Sequence, residues 1–303
     1  MVGTWRLGLA RAAAVAAVTA AAWPALVART PVRPHSQETI PARIVSTSPS
    51  ITETLFALGL GDRVVGVSQY CRFPPEVQKL PKVGTFLQPD PERIAALRPD
   101  LVFVHSVAGD LTGRLLTMHI RAVAVDEGTM ASVFEAIRQI ADAAGVPTRG
   151  EALVSDIQHK LDGAARAVPA GPRPSVLFVI GRRPGTLADL VAAGPHTYLD
   201  ALIGIAGGRN VLGTAGLPEY PRISMETVLR LDPDVIVDTV DMGETAAERL
   251  ARQTVNQRLW AAYPSLRAVQ SKRVYAQTTD ALVVPGPRIV EAAEWVAALI
   301  RPR

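Results

Sequence analysis

Cysteine is nearly missing from this 303-residue chain: Cys71 stands alone, so no intrachain disulfide and no paired thiolate metal site can form. Its expected state is a small thiol, buried or half-buried. Lysine is scarce as well, confined to Lys79, Lys82, Lys160 and Lys272, and the arginines are scattered singly. The formal charge of +4 and the pI near 9.5 therefore build no patch for a polyanion, and nucleic acid is not an expected partner. Enzyme signatures are absent too: no G-x-S-x-G elbow, no G-x-x-x-x-G-K phosphate loop, no H-E-x-x-H, and no G-x-G-x-x-G after a strand. His35, His105, His119, His159 and His196 have no spacing that builds a metal site. These absences point to binding rather than catalysis, with no catalytic residue, resident cofactor or metal expected.

What is present describes a globular protein: 48% hydrophobic residues, 20% charged, and no long charge run. The length exceeds one typical core of about 100–150 residues, which predicts two compact units. At the N-terminus, Arg6 and Arg11 flank an apolar run from Ala12 to Trp23, and PALVA closes in small residues at Ala28. This reads as a signal peptide over 1–28, followed by a polar leader over 29–42. The apolar run is shorter than the roughly 18–20 residues of a membrane span. No cysteine follows it, so the mature chain is expected in the periplasm without a lipid anchor, as a monomer.

From Arg43 onward, short β-branched runs alternate with helical patterns, which predicts an α/β fold with mainly parallel sheets flanked by helices. The first units are RIVSTS from Arg43, a helix capped by Ser50 or Thr52, VVGV from Val64, PERIAALR, LVFVH from Leu101, and AVAVD ending at Asp126. The same order recurs later, and the recurrence reaches residue identity. Glu92, Pro99 and Asp100 fall on Glu226, Pro233 and Asp234, each 134 positions apart (226 − 92). Glu53, Leu55, Gly61 and Gly66 fall on Asp200, Leu202, Gly208 and Gly213 at a spacing of 147 (200 − 53). Two similar lobes follow, an N-terminal one over 43–146 and a C-terminal one over 169–303. Between them, Pro147 and Thr148 start a helix over 147–168 that Pro169 and Gly171 stop, with Leu153, Ile157, Leu161 and Ala165 forming one apolar stripe. A rod of this length, about 30 Å at 1.5 Å per residue, predicts modest closure of the lobes.

Ligands of open α/β sheets bind beyond the carboxyl ends of the strands. Tyr70, Phe73, Phe86 and Tyr220 all lie on loops predicted to converge there, a concentration that suits a broad apolar or ring-shaped ligand. Asp280 and Arg288 are candidate polar anchors, Arg288 equally a capping or salt-bridging residue. His105 ends a predicted core strand.

RIVSTSPSITETLFALGLGDRVVGVSQYCRFPPEV, LPKVGTFLQPDPERIAALRPDLVFV, AGGRNVL, ISMETVLRLDPDVIV and PGPRIVEAAEWV carry a resemblance over about residues 43–301. On them the chain resembles the periplasmic cobalamin-binding protein family, helical-backbone solute-binding proteins of ABC importers for corrinoids, haem and iron-siderophores. The resemblance implies two lobes joined by one long helix. It implies a membrane permease as partner, with Glu92 and Glu226 at the positions of the glutamates that dock on the permease. It places Tyr70 where the cobalamin receptors carry a cleft tyrosine, Phe86, His105 and Tyr220 where they carry tryptophans, and Asp280 on a cleft acid. The histidine departs from that pattern, and a histidine with tyrosines also suits haem iron. Cobalamin or another corrinoid is thus the leading ligand, haem or a ferric siderophore the alternative. From a different class, an exported tetrapyrrole metal chelatase-like enzyme has a comparable two-lobed cleft.

Overall fold

The structure, a computed structural model, describes residues 40–214, 216–239, 246–276 and 280–301, with the side chains of 246–250, 252 and 253 left aside. The signal peptide and nearly all of the leader lie outside the described residues. The first half runs β1 (Ile44–Ser46), α1 (Pro49–Ala57), β2 (Val64–Val67), α2 (Pro91–Ala96), β3 (Leu101–His105), α3 (Leu111–Thr117), β4 (Ala122–Val125) and α4 (Met130–Ala143). The long helix α5 (Pro147–Arg166) follows. The second half holds β5 (Ser175–Gly181), β6 (Leu190–Ala192), α6 (Tyr198–Ile205), β7 (Arg209–Asn210), β8 (Arg222–Ile223), α7 (Met225–Leu231) and β9 (Val235–Asp238). It ends with α8 (Ala246–Ala261), α9 (Arg267–Gln270), β10 (Val274–Ala276) and α10 (Ile289–Ile300).

The first sheet has the order β2-β1-β3-β4 and is parallel throughout. In the second sheet β7, β5, β9 and β10 stand in the same relation, all parallel, so each strand of the first half has a counterpart. The second sheet departs from the duplication in β6 and β8, an antiparallel pair added beside β5 that the sequence reading did not foresee. Both are short, three and two residues, too brief to leave a periodic signal.

The duplicated residues have duplicated jobs. The Asp100 carboxylate accepts from the backbone N–H of Ala42 and Arg43 at 2.9 and 2.8 Å, and so fixes the entry to β1. The Asp234 carboxylate accepts from the Ser175 N–H at 2.8 Å and its hydroxyl at 2.7 Å, fixing the entry to β5. The Ser175 and Arg267 partners hold the Asp234 carboxyl below its ordinary range, outweighing the burial that pushes it up.

Parallel strands covered on both faces should be apolar on both, and they are. In the first sheet Ile44, Leu101 and Phe103 face one core, with Val45, Val102 and Val104 on the other. In the second, Val176, Phe178, Val235 and Val237 face α10, α6 and α5, while Leu177, Val179 and Ile236 pack with Trp260. Helix α4 joins the halves, because Ala136 and Ile140 belong to the first core and Val133 and Ile137 to the second. Both sheets belong to one compact unit.

Two local expectations need correction. Helix α1 is capped by Ser48, whose side chain accepts from the Ile51 N–H, because Pro49 occupies the first helical position and needs no acceptor. In α5 the buried stripe is Gly150, Val154, Ile157 and Leu161, with Leu153 partly buried and Ala165 exposed. Gly150 sets that phase: a Cβ there would collide with the Ala141 side chain, so its missing side chain lets α5 lie against α4.

Candidate ligand-binding cleft

The strand ends of both halves open on one cleft, because the β1–α1, β2 and β3 loops project toward the segment between β10 and α10. Its innermost part is a cavity of about 160 Å³ lined by Ser48, Pro49, Ser50, Tyr70, Phe86, His105, Glu127 and the 283–285 segment. That is less than the roughly 300–1,000 Å³ of a small-molecule site. Tyr70 and Phe86 meet edge to face with ring centroids 5.8 Å apart, and Phe86 lies 6.0 Å from the His105 ring. The three candidate residues from the first half thus form one continuous wall. Around the cleft, Phe73, Leu87, Val107, Leu217 and Tyr220 are exposed apolar side chains on its loops.

Tyr220 stands on the other rim and does not line the inner cavity. Its loop is held against Gly194, whose N–H donates to the Glu219 carbonyl at 2.7 Å. Burial, with Glu219 and Asp126 adding to it, pushes the Tyr220 phenol up to about 12, so the ring is neutral and faces the acidic end of β4.

Asp280 does not line the inner cavity either. Its carboxylate accepts from Arg288 Nη1 at 3.1 Å. The same guanidinium donates through Nε to Glu53 Oε2 at 2.9 Å and through Nη2 to Glu53 Oε1, and its carbon sits 4.2 Å from the centre of the Phe73 ring. Glu53 and Phe73 belong to the first half, Arg288 and Asp280 to the second. The arrangement is therefore a clasp across the two halves. Burial opposes the charge of Arg288, but the two carboxylates outweigh it and hold the pKa above the ordinary arginine value. Burial pushes the Glu53 carboxyl up, and the Arg288 bonds offset part of that rise.

The floor carries a residue that sequence reasoning missed. Glu127 is 3% exposed and accepts through Oε2 from the Ser50 hydroxyl. It lies 3.8 Å from His105 Nε2. Burial pushes its carboxyl up to about 8, and the Ser50 bond offsets only part of the rise. The available signal was position: Glu127 follows the end of β4, where the strand-end rule places ligands. His105 Nδ1 accepts from the Val107 N–H at 3.3 Å, which leaves the ring proton on Nε2, facing Glu127. Burial holds the His105 pKa below its ordinary value, with Asp126 pulling the other way, so the imidazole is neutral at pH 7. Cys71 is buried beneath this floor at 3.2 Å from the Thr52 hydroxyl, and burial pushes its thiol up to about 11.

Glu92 and Glu226 lie away from the cavity lining. Each occupies the second residue of its helix, after Asp90 capping α2 and Ser224 capping α7. Both are exposed, and neither carboxylate has a hydrogen-bond or ion-pair partner among the described residues.

Two duplicated α/β halves, joined by a long helix and closing on an aromatic-walled cleft, define a solute-binding protein of the two-lobed kind. Residues 44–281 match the periplasmic binding protein family, and the chain belongs to it. The ABC transporter substrate-binding lipoprotein YvrC of Bacillus subtilis is 29% identical, covering 86% of this chain and 81% of that protein. The vitamin B12-binding protein of Photorhabdus laumondii is 27% identical over 86% of this chain and 88% of its own. Among solved structures, the periplasmic heme-binding protein RhuT of Roseiflexus sp. RS-1 superposes with a TM-score of 0.72 at 29% identity, covering 85% of this chain and 97% of that one.

Proposed function

We propose that this protein is the periplasmic receptor of an ABC importer, that it binds cobalamin or another corrinoid between its two lobes, and that it has no catalytic role. In this reading the lobes are 43–146 and 169–303, α5 connects them, and the mature chain is monomeric and free of a lipid anchor. Tyr70, Phe86, His105 and Tyr220 contact the ligand from both rims. Asp280 acts indirectly, through Arg288, rather than as a free anchor. Glu92 and Glu226 dock on the permease.

The observation that supports the corrinoid over haem is the Val107 N–H donated to His105 Nδ1, from which a proton on Nε2 follows. A histidine that ligates haem iron must turn a lone pair toward the metal, whereas here the nitrogen facing the floor is a donor and the lone pair is spent on Val107. Haem remains the second reading, favoured by the likeness to a heme-binding relative at 29% identity. Titration of the purified protein with cyanocobalamin, haemin and a ferric siderophore tests both. Micromolar or tighter binding of cyanocobalamin supports the first reading. Binding of haemin alone, with a Soret shift lost in His105→Ala, replaces it with the second.

A further inference from the structure

The cleft floor holds one carboxyl and, among the described residues, no lysine or arginine: its polar lining is Ser48, Ser50, Tyr70, His105 and Glu127. Arg288, at the junction of the two halves, is engaged by Glu53 and Asp280. The groups that face Glu127 from each packed element are Ser50 and Glu53 on α1, His105 at the end of β3, Asp126 beside it, and Tyr198 on α6. None of these carries a positive charge at neutral pH.

We infer that Glu127 is a specificity-determining residue: with His105 it selects ligands that present an uncharged amide to the cleft floor and turns away those that present a carboxylate. This deepens the corrinoid reading and rests on it for the choice of probe. An amide carries a donor and an acceptor on one planar edge, and the floor offers the complement, the Nε2–H of His105 and the Glu127 carboxyl 3.8 Å away. The match survives a change of charge on Glu127, because its carboxyl donates to the amide oxygen when protonated and accepts from the amide N–H when ionised. A ligand carboxylate only accepts, so it pairs with Glu127 only while that carboxyl holds its proton; it has no cation to meet among the lining residues and faces a growing negative field as pH rises. Burial favours the protonated form of Glu127 at pH 7, so the discrimination against a carboxylate develops as pH rises through about 8.

The test compares cyanocobalamin with its monocarboxylic acids, each of which replaces one side-chain amide by a carboxylate. Affinities are measured for wild type and Glu127→Gln at pH 6.5 and 8.5. At pH 8.5 wild type is expected to prefer cyanocobalamin over at least one of the acids by tenfold or more, with a smaller preference at pH 6.5. Glu127→Gln should shrink it to threefold or less and remove its pH dependence. Should Gln at 127 impair folding, as followed by circular dichroism, the wild-type pH dependence carries the test: a preference that does not grow between pH 6.5 and 8.5 overturns the inference. Equal preference in wild type and Glu127→Gln overturns the inference while leaving the corrinoid reading intact. If haemin binds and corrinoids do not, the ligand reading falls; haemin and its dimethyl ester then take the same role, and a Glu127-independent ratio overturns the inference. Binding of none of these probes overturns both.

Discussion

Arg288→Met should be the most destabilising single change at the junction of the two halves. The Arg288 side chain is 12% exposed and that of Glu53 3%. Truncating the arginine leaves a carboxylate without its counter-ion in a site water does not reach. Breaking a buried pair from one side costs about 3–5 kcal/mol. For a chain of this size that corresponds to a fall in Tm of about 6–20 °C. Asp280, whose side chain is 33% exposed, is screened by solvent, so Asp280→Asn should cost about 1 kcal/mol or less. Glu53→Gln combined with Arg288→Met removes both charges, and the pair should recover most of the loss, giving a coupling of at least about 2 kcal/mol. The loss in Arg288→Met should also shrink toward acid, because the orphaned Glu53 carboxyl then takes a proton at little cost. The assay is urea unfolding of the mature chain at pH 5 and pH 8, followed by far-ultraviolet dichroism and tryptophan fluorescence, whose transitions must coincide for the free energies to be used. A cost below about 1 kcal/mol for Arg288→Met, or no coupling in the double variant, would refute the clasp.

A pH effect follows from Glu127, whose folded pKa of about 8 lies above the ordinary 4.5. The folded state therefore holds the extra proton, and the stability it confers is full below about pH 4.5 and is lost as pH rises through 8. At about 1.4 kcal/mol per unit, wild type should lose about 2 kcal/mol between pH 6 and 8 relative to Glu127→Gln. Parallel stability curves for the two would show that the carboxyl is not desolvated as described. For Glu92 and Glu226, single alanine substitutions should weaken uptake of labelled cobalamin by cells depleted of their own receptor, and the double substitution should abolish it. Ligand affinity of the purified variants should stay within twofold of wild type, and a loss of affinity would place these residues in binding rather than docking.

The alternation of β-branched runs and helical patterns revealed the α/β class, and two internal registers revealed the duplicated strand order, because Asp100 and Asp234 are fixed by the same backbone task. The aromatic wall was legible for a similar reason: Tyr70, Phe86 and His105 sit at strand ends or the loops beside them, and strand ends follow from pattern. Asp280 was read as a candidate polar anchor, and the structure adds that its carboxylate accepts from Arg288. Its partner choice depends on where Glu53, 235 positions from Arg288, comes to rest. Glu127 had a legible position after β4 but not a legible character, because an acidic residue after a strand looks the same in sequence whether it is solvated or enclosed. The β6 and β8 pair was missed because two or three residues hold no period.

The duplication is kept unevenly, and the unevenness follows the demands on each surface. On the outer helices it is close: α2 and α7 begin 134 positions apart (225 − 91), each with a capping side chain and a glutamate at the second position. Inside the cleft it is lost, since the first half supplies a ring wall, Ser50 and Glu127, while the second supplies Val283, Val284 and Pro285 to the inner cavity and Tyr220 to the rim. A two-fold partner requires equivalent contact points, because any difference between them costs binding at one of its two equivalent sites. A single asymmetric ligand makes no such demand, and each lobe is free to diverge toward the ligand edge it meets. The added β6 and β8 fit this division, for they extend the second sheet beside the loop that carries Tyr220 and leave α7 in register with α2. Under the proposed function, residues that keep either register, 134 or 147 positions, serve the fold or the docking face, and the cleft residues that keep neither serve the ligand.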